Sequence, residues 1–213
     1  MDSRHIGYFA LMKERPELFN SSELIDIETE YEKITAFEKE SGIQTGILYK
    51  SRFSMLVVDV IKGKNGYYTY ERIIPAATGK GVVVIPKYNG KFLLIRQYRH
   101  TIRDYQYCFV RGFGEDGISP EANALKEISE EIGGKVTSTT YLGELTPDSG
   151  ITSNIVSYFV CELSSYDKPE SEEGIDMIIE LDQTGLEEWI KTNRITDGYS
   201  VCAYGLYKLK GLA

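Results

Sequence analysis

A chain of 213 residues with 42% hydrophobic and 26% charged content has the composition of a folded globular protein, which excludes disorder as the default state. Its net charge of −8 and isoelectric point near 5.0 exclude a general binder of nucleic-acid backbone, because such proteins present a basic face that releases counterions. The three cysteines, Cys108, Cys161 and Cys202, form no CxxC pair, so a disulfide framework and a thiolate zinc site are both excluded as starting points, and the thiols read as buried and intracellular.

The N-terminus, MDSRHIGYFALMKERPELF, lacks the sustained apolar core and small-residue cleavage site of a signal peptide, and no later run has the length to span a bilayer; a soluble cytoplasmic protein with no membrane partner is expected. Residues 1–22 read as a short helical or irregular lead, interrupted at Arg15-Pro16-Glu17 and broken at Asn20-Ser21-Ser22. From Leu24 to Pro75 the pattern is β-type, with SRFSMLVVDVIKG and YYTYERIIP forming a hairpin around Lys64-Asn65-Gly66. A second pair, GVVVIPKY and KFLLIRQYRH, turns at Asn89-Gly90, and its continuous apolar runs predict strands buried on both faces. YQYCFVRGFGEDGIS then runs from strand into a glycine-punctuated loop.

The best-defined helix spans Pro120 to Ile132, with Ser119 as N-cap, Pro120 at the first position and Gly133-Gly134 as the stop. TSTTYLGELTP, SNIVSYFVCEL and DMIIELD read as strands, the first two separated by Pro147-Asp148-Ser149-Gly150. LEEWIKTNR and VCAYGLYKLKG read as closing helices, the latter capped by Asp197 or Ser200. Strands alternating with single helices predict a mixed sheet with helices on its faces (residues 79–213), preceded by a small β-rich subdomain with its lead (residues 1–78).

Within the Pro120–Ile132 helix, spacings of three and four residues bring Glu127, Glu130 and Glu131 within one turn and roughly onto one face. Like charges so placed cost an isolated helix about a few tenths of a kcal/mol per pair. Such a face is either a solvated acidic surface or a place for cations, and hard oxygen donors suit magnesium or manganese shared with substrate phosphates.

The segment GFGEDGISPEANALKEISEEIGG resembles the signature of the Nudix hydrolases, G-x5-E-x7-R-E-U-x-E-E-x-G-U with U aliphatic. Gly112 falls on the first glycine, Glu127, Glu130 and Glu131 on the core glutamates, and Gly133 on the last glycine. Lys126 stands for the arginine, Ile118 for the early glutamate and Gly134 for the last aliphatic residue. Glu115 and Glu121 are the two candidates to replace the missing glutamate. Upstream, Arg96-Gln97-Tyr98-Arg99 is similar to the Gln-Tyr-Arg segment of the ADP-ribose pyrophosphatase branch, and Asp148-Ser149-Gly150 resembles its Ser-Pro-Gly loop. Tyr107-Cys108-Phe109-Val110-Arg111-Gly112 departs from that branch's Trp-Glu-Leu-Pro-Ala-Gly, with a thiol at Cys108 in place of a carboxylate.

The resemblance, over roughly residues 70–205, implies a Nudix-like α/β/α sandwich and a magnesium-dependent (or manganese-dependent) hydrolase of a nucleoside-diphosphate compound such as ADP-ribose. It implies Glu127, Glu131 and the backbone carbonyl of Arg111 as metal ligands, and Arg96, Arg99, Ser149 and Gly150 as substrate-binding residues. Lys126 would orient the glutamates. The base that takes the proton of an attacking water would come from the box itself, as Glu130 or Glu127, or from Glu172-Glu173 in the acidic run SSYDKPESEEG. Glu173 is favoured, and a solvated acidic loop is the competing reading of that run. A homodimer through the N-terminal subdomain is implied as well. Tyr67, Tyr68 and Tyr70 read either as cross-strand packing or as a stacking surface for adenine. The competing reading is a domain of the same family that has lost turnover and acts as a nucleotide-binding regulator, motivated by Ile118 and Cys108. A nonenzymatic acidic interaction domain would require the glycine and glutamate spacing to be coincidence.

Overall fold

The computed structural model describes residues 1–167 and 174–212, which form two compact units: Met1–Ala77 with Asp148–Asn154, and Thr78–Pro147 with residues 155–167 and 174–212.

The first unit opens with helix α1 (Ser3–Glu14), whose N-cap Asp2 accepts from the backbone of His5, followed by a short 3-10 turn at Pro16–Phe19. Strand β1 (Asp26–Ile27), helix α2 (Tyr31–Ser41) and strands β2 (Gly46–Lys50), β3 (Ser54–Gly63) and β4 (Gly66–Pro75) follow. β3 is the central strand: β4 pairs along its whole length, while β2 and β1 share its other edge. The hairpin forms where Asn-Gly chemistry predicts it, with Gly66 at φ 119°, open only to glycine at low cost. The expectation of β-type runs throughout Leu24–Pro75 fails at Tyr31–Ser41. Tyr31, Ile34 and Phe37 recur at helical rather than strand spacing, Ile34 is buried, and Gly42 closes the helix in the left-handed conformation. Tyr8, Leu11, Ile34, Met55, Val57, Val60 and Ile74 make the core of this unit.

The loop Asp148–Asn154 belongs to the same unit. The backbone N–H of Ile73 donates to Ile151 and that of Ser153 to Ile73, and the Tyr70 hydroxyl donates to the Gly150 carbonyl at 2.7 Å.

The second unit contains strands β5 (Gly81–Tyr88), β6 (Lys91–Arg99), β7 (Asp104–Cys108) and β8 (Val110–Gly112), helix α3 (Pro120–Ile132), strands β9 (Lys135–Leu145), β10 (Val156–Ser165) and β11 (Ile175–Leu181), and helices α4 (Gln183–Lys191) and α5 (Gly198–Leu209). They make a seven-stranded mixed sheet in the order β11-β6-β5-β10-β9, in which β5 and β10 are parallel and the other pairs antiparallel. β5 and β6 pair only beside their Asn89-Gly90 turn. Beyond it they splay, and β7 pairs antiparallel with β6 while β8 pairs antiparallel with β5.

Alternation along the strands divides the core in two. Val82, Val84, Leu93, Ile95, Cys108 and Val110 pack with Ala124, Ile128 and Ile132 of α3. Val83, Ile85, Phe92, Leu94 and Phe109 pack with Leu186 of α4 and Ala203, Tyr204 and Tyr207 of α5. The unit is therefore the helix–sheet–helix sandwich that the sequence implies, with β5 buried on both faces.

Candidate active site

α3 starts and stops as its sequence dictates: the Ser119 hydroxyl accepts from the N–H of Ala122 at 3.2 Å, and Gly133 caps the end with φ 59°. Between these ends the three glutamates are graded in depth rather than equivalent. Glu131 is buried at 5% exposure, Glu127 is half-buried, and the Glu130 side chain is 57% exposed. Glu127 lies over Gly112 so closely that a Cβ there would come 1.8 Å from its Oε1. The first glycine of the motif is thus the space that its first core glutamate occupies.

Lys126 bridges two carboxylates, Glu115 at 2.7 Å and Glu130 at 3.0 Å, and these bonds, Glu115 first, hold its ammonium above the ordinary lysine pKa. Of the two candidates for the missing early glutamate, Glu115 is the one that meets Lys126. Glu121 instead lines a shallow groove with Leu125, Gly134 and Val136–Thr139.

The loop before α3 is fixed at several points. The buried amide of Asn123 donates to the Phe113 carbonyl at 2.7 Å, and Asp116 accepts from both the N–H and the hydroxyl of Thr78 at 2.7 Å. Gly79 and Gly114 pass backbone to backbone, since a Cβ on Gly114 would lie 1.8 Å from the Gly79 carbonyl oxygen. Gly79, Thr78 and Asp116 were invisible as site residues in the sequence, where only Gly79's neighbourhood in a turn could have flagged it.

The two arginines of the Gln-Tyr-Arg segment part company. Arg99 donates to the Cys108 thiol at 3.3 Å, on the face of the sheet that α3 covers. Burial pushes that thiol up to about 11 against the pull of Arg99. Arg96 lies one residue beyond Ile95, whose side chain packs toward α3, and so points to the other face. There it binds both oxygens of Asp176 and stacks on Tyr105, 4.9 Å from the ring centre. The structure brings Arg99, not Arg96, to the α3 side of the sheet.

The Arg111 side chain also faces away from α3. It pairs with Asp197 at 3.0 Å and lies 4.8 Å over the Tyr199 ring. Asp197 caps α5 and accepts from the Ser200 hydroxyl, which in turn accepts from the Phe109 N–H at 2.8 Å, so the residue between β7 and β8 is anchored to α5. Ser149 and Gly150 lie in the loop of the first unit, where Tyr70 holds the Gly150 carbonyl. Tyr67 donates to Glu28. Glu173 lies outside the described residues.

Among the described residues, no three His, Cys, Asp or Glu side chains are gathered into a ready-made cation cage. The donor set nevertheless fits a hard cation: two carboxylates, Glu127 and Glu131, a turn apart, with Gly112 clearing room for the first and the Arg111 carbonyl one residue before it. Magnesium commonly takes one or two protein carboxylates and completes its shell with water and substrate phosphate.

Comparison with known proteins shows the family. The Nudix domain model matches residues 77–196. The chain is similar to a methanol dehydrogenase activator of Bacillus methanolicus (27% identity over 177 residues, 81% of this chain and 94% of that one). It is also similar to an ADP-ribose pyrophosphatase of Bacillus subtilis strain 168 (23% over 173 residues, 81% and 93%). A crystal structure of an ADP compounds hydrolase superposes with a TM-score of 0.71 at 19% identity, covering 91% of this chain and 98% of that one, a likeness of fold. No helix among the described residues is long and apolar enough to cross a membrane.

Proposed function

Because this chain belongs to the Nudix family, we propose that it hydrolyses the diphosphate bond of a nucleoside-diphosphate compound, ADP-ribose or a related nucleotide sugar, in the cytoplasm as a homodimer. The observation that carries this reading is the seating of Glu127 in the space left by Gly112, with Glu131 buried one turn later. Burying a carboxylate has a cost that a bound cation helps to offset.

Glu127, Glu131 and the Arg111 carbonyl would hold magnesium, or manganese, which when bound neutralises diphosphate charge and acidifies a coordinated water. Arg99 supplies a guanidinium fork for the diphosphate. Glu130, exposed and tied to Lys126, accepts the proton of the attacking water, and Glu173 is the alternative base. Arg96 takes part only by giving up Asp176.

The test is incubation of the purified protein with magnesium and a panel of ADP-ribose, NADH, diadenosine polyphosphates and sugar nucleotides, with products separated by chromatography. Cleavage of an ADP-sugar that stops on adding EDTA is expected. Absence of any product would sink the enzyme reading. Light scattering after gel filtration measures the oligomeric state.

A second reading is favoured by one relative, named as the activator of a dehydrogenase, together with Ile118 and Cys108 standing where the family pattern has carboxylates. In it the domain binds a nucleotide without turnover and regulates a partner. Nucleotide binding by calorimetry with no product across the panel would select it.

A further inference from the structure

We propose that Glu115 is a positioning residue for hydrolysis: from a rigid loop it holds Lys126, and through Lys126 it fixes the carboxylate of Glu130. This deepens the hydrolase reading and rests on it.

The argument begins with helix chemistry. Lys126 and Glu130 stand four residues apart with the lysine on the N-terminal side, the weaker of the two orders for such a pair. With the lysine side chain 39% exposed and the glutamate 57% exposed, the pair alone leaves both side chains free to sample other rotamers. Glu115 adds a third group, 2.7 Å from the same ammonium. Its own backbone cannot wander. A Cβ on Gly79 would lie 2.2 Å from the Glu115 carbonyl oxygen, Gly114 before it abuts the Gly79 carbonyl, and Asp116 after it takes two hydrogen bonds from Thr78. The Asn123 amide, buried in α3, ties Phe113 to the same helix that carries Lys126 and Glu130.

The position of Glu130 is thus referred to the loop at residues 78–80 through a chain of contacts, with Glu115 as the link. All three charged groups are substantially exposed, so their pairing contributes little to folding. The arrangement orders a carboxylate rather than a fold.

The experiment is Glu115→Gln in the full chain. Turnover should fall about tenfold to a hundredfold, the range for residues that orient a first set of ligands, with KM and thermal midpoint unchanged. Placing a carboxylate at the motif's own position, Ile118→Glu, in the Glu115→Gln background should restore turnover in part. Nitrogen-edited NMR of the lysine ammonium groups gives a readout free of catalysis: the Lys126 signal should be protected in the wild type and lost in Glu115→Gln. An unchanged turnover number, or a fall in thermal midpoint that accounts for the loss, overturns the proposal. So does a Lys126 signal indifferent to the substitution. A wild-type protein with no turnover on any substrate defeats the hydrolase reading instead, while the NMR comparison still decides whether Glu115 holds Lys126.

Discussion

Both units of this protein bury carboxylates, Asp59 and Glu28 in the first and Glu131 and Asp197 in the second, and these serve different ends. In the first unit Asp59, 1% exposed, receives Arg72 through two nitrogens at 2.6 and 3.1 Å and the Tyr8 hydroxyl at 2.6 Å. Glu28, fully buried, accepts from two backbone N–H groups and from Tyr67; burial pushes its pKa up, but these donors and Lys62 bring the net value below the ordinary one. In the second unit α3 gathers three glutamates within two turns, and the lysine among them is drawn to the outermost and to Glu115. A buried acid matched by donors of its own fold stabilises structure. On the function proposed above, Glu127 and Glu131, beside the space at Gly112, serve instead to hold a cation from outside.

That contrast can be broken by substitution. Asp59→Ala leaves the Arg72 guanidinium and the Tyr8 hydroxyl facing a cavity, and should lower the unfolding free energy by about 3–5 kcal/mol in urea titration. Turnover per folded molecule should stay as it was. Glu131→Gln should do the reverse: magnesium-dependent hydrolysis falls by about a hundredfold or more, beyond what an orienting residue costs, while the fold is retained. If Glu131→Gln unfolds the protein and Asp59→Ala silences it, the division of labour is wrong.

A smaller effect sharpens the same point at the surface. Glu187 is brought to about 2 by Lys208 first, then by Tyr204 and Gln183. Its folded value lies below its unfolded value of about 4.3, so its contribution is present above that pH and disappears as pH falls toward 2. Glu187→Gln should therefore lower the thermal midpoint slightly at pH 7 and leave it unchanged near pH 2. A larger loss at acid than at neutral pH would contradict the sign.

Much of the fold is legible in the chain because its signals are local. Ser119 and Gly133 bound α3, Asn89-Gly90 turns a hairpin with both residues at positive φ, and the apolar run of β5 announces a strand covered on two faces. α2 escaped because eleven residues with one buried side chain, Ile34, between two β-rich stretches carry a weak period. The candidate site was legible where it rests on spacing along one helix, since Glu127, Glu130 and Glu131 do share α3. It was not legible where partners come from distant segments: Glu115 and Glu121 were equal candidates until Lys126 met the first, and Arg96 and Arg99 were equal until the pleat sent them to opposite faces.

The amino-acid sequence by itself determined the helix, its caps and the run of glutamates, since those depend on residues three or four apart and on the intrinsic preferences of serine, proline and glycine. Only the tertiary structure decided which carboxylates are buried, which arginine shares the face of α3 and how Gly79 and Gly114 lock the loop that carries Glu115. Those outcomes depend on strand pairing and on backbone approach between segments far apart in the chain, for which a linear sequence holds no local signal.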